Sequence, residues 1–326
     1  MLSSMKKIII SFLFLFLITA CDKISHPVQG PPKIFDCIDP LNQVIKTNAN
    51  KNPDQRKVLL EDFTGHYCPN CPRAAKVAET LMEQNPGNVI LLAHHVTTTY
   101  AKISTDTTNK FKENFMNDAS NDWDSPKTGF GVSGAGLPQG MVNRIGNPNF
   151  AQADSKWASL VSTELNKPLV ARLDLETTYD LVSHYLIAKV KATFKQAVAH
   201  NVNVVFVLSQ DSIVACQKDN NPLNAPNDRD PDEPQTRLNF HFNHITINAM
   251  NGAQGEVLKS GPIAINDTAS LTSSCFLLNK CFGADNATTF PPYKAFCIDD
   301  RYVSLVAFIY DADTKEVLQA ETMRIR

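Results

Sequence analysis

Two cysteines, in the run Cys68-Pro69-Asn70-Cys71, stand between a strand-like and a helix-like segment, and few folds satisfy that arrangement. Val58-Leu59-Leu60 with Phe63 makes a short apolar strand, and Pro72 to Met82 places Ala74, Val77, Ala78 and Leu81 on one helical face. Pro72 suits the first helical turn, where its missing N–H costs nothing, and Pro86-Gly87 stops the helix. Val89 to Ala93 is then a second, almost wholly apolar strand of the kind covered on both faces, so strand, helix and strand predict a parallel pair. The frame delivers both thiols to a helix N-terminus. Free N–H groups and the helix dipole there favour a thiolate at Cys68, and Cys71 can resolve a mixed disulfide. Two other readings of the same residues are an inert disulfide and a zinc site built from Cys68, Cys71, His94 and His95.

Further along, residues 107–118 have a helical pattern, 122–136 are glycine-rich loop, 140–143 form a third short strand and 151–165 a helix. After Pro168 the helical period gives way to β-rich runs at 169–178, 185–194, 202–209, 238–249, 303–310 and 317–326. Arg172, Asp174 and Glu176 alternate with Leu173, Leu175 and Thr177, which suits an antiparallel sheet with one wet face. The expected architecture is therefore α/β plus all-β: an α/β domain over 46–167 and an antiparallel β-sandwich over 168–326. The acidic run Asp228, Asp230, Asp232 and Glu233 is broken by prolines and fits a solvated turn better than a calcium loop. With 31 Lys+Arg against 33 Asp+Glu and no basic stripe, nucleic acid is excluded as a partner. Nothing in the pattern calls for a cofactor or a resident metal.

The first residues set the compartment. Lys6 and Lys7 precede an apolar run from Ile8 to Ile18, too short for a spanning helix and suited to a signal peptide over 1–20. Ile18-Thr19-Ala20-Cys21 resembles the bacterial lipobox, which makes Cys21 a lipid anchor and residues 21–45 a lipidated tether to a bacterial membrane. Export permits disulfides. Of the eight cysteines, removing Cys21 leaves seven, an odd number, so at least one thiol stays free or pairs elsewhere. Cys275, Cys281 and Cys297 are close enough in sequence to contain one structural disulfide, with the pairing open, and Cys37 either cross-links the tether to the body or is the odd thiol.

Two resemblances sharpen this reading. Val58-Leu59-Leu60-Glu61-Asp62-Phe63 leading into Cys68-Pro69-Asn70-Cys71, with Leu137-Pro138 ahead of a short strand, resembles a thioredoxin-fold active site. That resemblance implies a thioredoxin-like N-terminal domain in which Cys68 attacks, Cys71 resolves, Asp62 or Glu61 moves the proton, and a cis Pro138 shapes a peptide groove. The middle of the motif departs from the usual Gly-Pro, because Pro69 comes first and Asn70 follows. More of the chain is covered by a second likeness. Glu61 to Pro72, Leu137 to Arg144, Phe242-Asn243-His244 and Val306 to Asp311 resemble the Omp28-related family of Bacteroidetes lipoproteins, named after a twenty-eight-kilodalton outer membrane protein. It implies a cell-envelope, outer-membrane lipoprotein whose partners are envelope or host proteins. Two functions follow as expectations: thiol–disulfide exchange on envelope proteins, or a non-catalytic surface binding protein or adhesin whose Cys68–Cys71 bond is structural.

Overall fold

The computed structural model describes residues 37–48, 54–102, 110–278, 281–282 and 296–326. The signal segment 1–20, Cys21 and the tether as far as residue 36 lie outside the described residues. Along the chain, β1 (Gln43–Thr47) and β2 (Val58–Thr64) precede α1 (Cys71–Gln84), β3 (Val89–His95), α2 (Asp118–Asp124), β4 (Gln139–Val142) and α3 (Asp154–Leu165). Then come β5 (Ala171–Asp180), β6 (Tyr185–Phe194), β7 (Val202–Gln210), β8 (Ile213–Lys218), β9 (Thr236–Phe242), β10 (Ile245–Ala249), β11 (Glu256–Lys259) and β12 (Thr268–Thr272). The short strands β13 (Phe276–Leu277), β14 (Cys281–Phe282) and β15 (Phe296–Cys297) lead to β16 (Val303–Asp311) and β17 (Val317–Arg324).

The larger sheet runs β17-β16-β7-β10-β3-β2-β4, with β11 on β7, and the smaller one runs β1-β5-β6-β12, with β13 on β6. Within the larger sheet β2 and β3 are parallel in register from Val58↔Val89 to Thr64↔His95, as the strand–helix–strand pattern requires. β4 pairs antiparallel with β2, and β10 joins β3 in parallel. Side chains alternate across this sheet. Val204, Phe206, Leu305 and Ala307 face the smaller sheet, where they meet Leu173, Leu175, Val190 and Phe194 in a sandwich core. On the same face farther along, Val58, Leu60 and Leu91 pack under α1 and α3 with Ala74, Ala78 and Trp157. The opposite face buries Leu59, Phe63, Leu92, Val205, Val207 and Phe308 around Trp123 of α2.

The expected fold class is corrected by this topology. A thioredoxin-like α/β domain followed by a separate sandwich is not what forms: three α-helices stand against seventeen strands among the described residues. Strands from beyond residue 168, namely β7, β10, β16 and β17, extend the same sheet that holds β2, β3 and β4. The physical reason is the edge of β3. A strand apolar on both faces needs cover on both sides and leaves an edge to be met, and β10 joins that edge at Ala93, carrying the sheet on into β7, β16 and β17. The all-β expectation for the second half fits. The helix expected over 107–118 is also absent from its described part, since 111–117 is irregular and α2 begins at Asp118. Phe111 and Phe115, four apart as on a helix, both pack against His66 from this irregular stretch, Phe115 also against His95.

A disulfide joins Cys37 to Cys275 across 238 positions, so the segment expected as a tether over 21–45 is cross-linked within its length to the rest of the chain. Cys281 and Cys297 sit opposite each other in the β14–β15 register. Cys216, buried on β8, is a free thiol. No helix among the described residues is long and apolar enough to cross a membrane.

Candidate functional site

The turn after β2 brings Cys68 and Cys71 to the start of α1, where they form a disulfide. The turn is narrow: a Cβ on Gly65 would collide with the Tyr100 carbonyl, and Cys68 N–H donates back to the Gly65 carbonyl at 2.9 Å. At the helix start Asn70 gives no side-chain cap and no acidic residue stands in the first turn. The positive end of the helix is therefore left to the sulfurs. Both are buried, Cys68 at 1% and Cys71 at 2% relative exposure.

Glu61 and Asp62, adjacent on β2, face opposite sides of the sheet and have opposite electrostatic fates. Burial alone would raise the Glu61 carboxyl, but the Arg144 charge and its hydrogen bonds, with His94 adding, hold it near 2. Arg144 Nε and Nη2 donate to the two carboxylate oxygens at 2.8 and 2.7 Å. The guanidinium lies 4.6 Å from the Phe308 ring centre, 4.8 Å from Phe130 and 5.3 Å from Trp123. Asp62 turns instead toward α1. Burial, and then the charge of Asp154, pushes its carboxyl up to about 8, so it is protonated at neutral pH. Asp62, Cys71 and His95 line one cavity of about 50 Å³, roofed by Gln217, Phe240 and Phe242. Neither ring nitrogen of His95 nor Oδ1 of Asp62 has a hydrogen-bond partner there. Space of that size holds water but not a side chain.

Pro138 ends at the same sheet. The Leu137–Pro138 bond is cis and leads into β4, whose Gly140 sits opposite Asp62. Of the sequence-selected groups, Cys68, Cys71 and Asp62 are thus gathered at one end of α1, with Pro138 entering the strand beside Asp62, while Glu61 belongs to the ion pair on the far face. His66 does not assist a thiolate as a cation: burial pulls its ring down to about 4, and Nε2 shares a hydrogen bond with the Lys102 carbonyl at 3.1 Å. His94 is on the Glu61 face, where Nδ1 meets Ser120 and Thr246 at 3.1 and 3.0 Å, so it cannot join a zinc site with the cysteines. Among the described residues no group of three or more His, Cys, Asp or Glu could hold a metal. Asp230 of the acidic run is buried and paired with Lys110 rather than solvated.

Sequence reasoning missed the cover over the disulfide. Gln217 Nε2 donates to the carbonyls of Cys68 at 3.0 Å and Gly65 at 3.4 Å. The N–H groups of Lys218 and Asn220 donate to the carbonyls of His66 and Pro69 at 2.8 and 2.9 Å. These residues lie some 150 positions from the cysteines and carry no motif. Only the turn-rich interval between two β runs marked them.

Residues 126–279 match the family described as outer membrane protein Omp28. No curated protein matches the chain. Among solved structures, HBP35 of Porphyromonas gingivalis is similar in fold, with a TM-score of 0.51 at 13% identity over 83% of this chain and 75% of that one. A protein of Agrobacterium tumefaciens aligns with a TM-score of 0.43 at 10% identity, over 83% of this chain and 96% of that one. A domain of the outer membrane lipoprotein Omp28 from Porphyromonas gingivalis aligns at 0.27 and 14% identity, over 48% of this chain and 89% of that one. The match over residues 126–279 supports kinship with the Omp28 family of outer membrane proteins and, with it, a place in the cell envelope.

Proposed function

We propose that this outer-membrane protein, tethered through a lipid on Cys21, exchanges thiols and disulfides with envelope polypeptides at Cys68 and Cys71. The observation that supports this most directly is the Cys68–Cys71 disulfide at an uncapped helix N-terminus, with Cys71 sharing a small cavity with a protonated Asp62. A substrate thiolate attacks Cys68 Sγ and the Cys68–Cys71 bond breaks. Cys71 leaves as a thiolate and takes the Asp62 proton, while Cys68 is held in a mixed disulfide. A second substrate thiolate then attacks the substrate's own sulfur and releases Cys68 as a thiolate, which the helix terminus stabilises. Two electrons pass from the substrate dithiol to the protein, and exchange with another disulfide-bearing protein by the reverse sequence restores the bond. Glu61 has no part in this, because its proton is lost to the Arg144 pair.

Burial of both sulfurs favours the second reading, a binding protein with a structural disulfide. Incubating the full chain with a reduced two-cysteine polypeptide separates them. Exchange predicts substrate disulfide formed in proportion to Cys68 and Cys71 thiols released, none with Cys68→Ser, and a mixed disulfide through Cys68 when reduced Cys71→Ser meets an oxidised substrate. Failure of the wild-type protein to oxidise the polypeptide supports the binding reading.

A further inference from the structure

β7 and β10 are antiparallel neighbours that leave the large sheet together, and they pair again beyond it as the separate two-stranded sheet β8–β9. The base of this hairpin is apolar and fixed: Ile213, Ala215 and Phe242 are buried in the sandwich core, and Phe242 packs on His95. Between Ala215 and Gln217 the ladder slips, so Cys216 marks a bulge. Beyond the bulge the character changes. What presses on the disulfide is a set of hydrogen bonds rather than apolar surface: Gln217 to Cys68 and Gly65, Lys218 N–H to His66, Asn220 N–H to Pro69, and Asn220 Nδ2 to Asn70 Oδ1 at 3.3 Å. The exposed Leu223 shows that the far end of the tip buries little. The Lys110–Asp230 ion pair is a further polar tie, with its lysine partly exposed.

Alternate N–H groups of an extended segment, Lys218 and Asn220, donate to the carbonyls of His66 and Pro69, so the cysteine loop presents two outward carbonyls at the spacing an extended chain can meet. We propose that the His66–Pro69 carbonyl edge is the docking site for an extended polypeptide, and that the chain's own Gln217–Asn220 segment occupies it as a displaceable cap. The tip peels from the bulge at Cys216 while the apolar base stays packed, and the incoming strand replaces the hydrogen bonds the tip gives up. Net hydrogen-bond contributions are small when one partner exchanges for another, whereas lifting the base would expose core. This inference rests on the exchange reading for its purpose and not for its test.

The test is the rate at which Cys68–Cys71 in the full chain is reduced under native conditions, by dithiothreitol and by an extended peptide bearing one cysteine, with thiols located by alkylation and peptide mapping. Gln217→Ala removes the side-chain latch and is expected to raise both rates about tenfold, the peptide's more, with the reduction potential unchanged. A variant with loop residues 221–224 replaced by a longer glycine–serine run loosens the tip without touching the edge and is expected to act in the same direction. Unchanged rates in both variants, with folding intact, overturn the cap. Accelerated reduction by dithiothreitol with no advantage to the peptide overturns the docking edge. A cap that opens over a disulfide too stable to exchange upholds this inference and sinks the proposed function.

Discussion

Glu61 and Asp62 are neighbours in one strand, yet at neutral pH one is ionised and the other protonated, because the sheet turns them to opposite faces. Asp62 gives a pH signature. Its folded pKa of about 8 lies above the ordinary 3.8, so between those values the folded state holds a proton that the unfolded state releases. Its contribution to stability is full below about pH 4 and is lost as pH rises through 8. Asp62→Asn should therefore be more stable than the wild type at pH 8–9 by a few kcal/mol, with the gain fading toward pH 4, in urea titrations across that range. On the other face, Arg144→Met strands a buried carboxylate and should cost about 3–5 kcal/mol in the same assay, while Arg144→Met with Glu61→Leu should recover much of it. Asp62 was singled out by the resemblance to a thioredoxin active site, which sets an acid on the strand leading into the cysteines. Arg144 was visible only as part of a family motif, since no periodicity foretells a box made of Trp123 and Phe130 from the stretch upstream and Phe308 from a distant strand.

At the scale of elements, those built on strong local period were readable: α1, β2, β3 and α3 formed within a few residues of their expected limits. The run 238–249 was expected as one strand, and the structure breaks it into β9 and β10 around Asn243 and His244. His244 takes φ 57° there, a left-handed conformation no apolar pattern encodes. That break is what sends the hairpin over the disulfide, so the site's cover was lost along with it. β4 offers a direct check on how tightly the elements at the site are fitted. A Cβ on Gly140 would stand 2.6 Å from both the Glu61 carbonyl and the Trp157 ring, with backbone on one side and a buried ring on the other. Gly140→Ala is expected to push β4 off β2, cost about 1–3 kcal/mol and shift Trp157 fluorescence.

At the scale of the molecule, residues 37–326 make one compact unit, and the fold-class expectation failed because local pattern cannot reveal which edge a strand will cover. Leu59, Phe63 and Leu92 share a cluster with Val205, Val207 and Phe308, so the first half buries its apolar face only against the second. A fragment ending at residue 167 should be unfolded or aggregated by circular dichroism; a cooperative thermal transition in that fragment would argue against the continuous sheet. The Cys37–Cys275 bond closes a long loop, and replacing both by serine should lower stability by about 2–5 kcal/mol in chemical denaturation.

The equilibrium reduction potential of Cys68–Cys71 in the full chain, measured against glutathione with Cys68→Ser as control, decides the claim that a buried disulfide at a helix terminus is kept exchangeable. The claim predicts a potential within roughly −120 to −270 mV, the span of proteins that pass disulfides on. A value below about −300 mV contradicts it and makes the bond a structural staple.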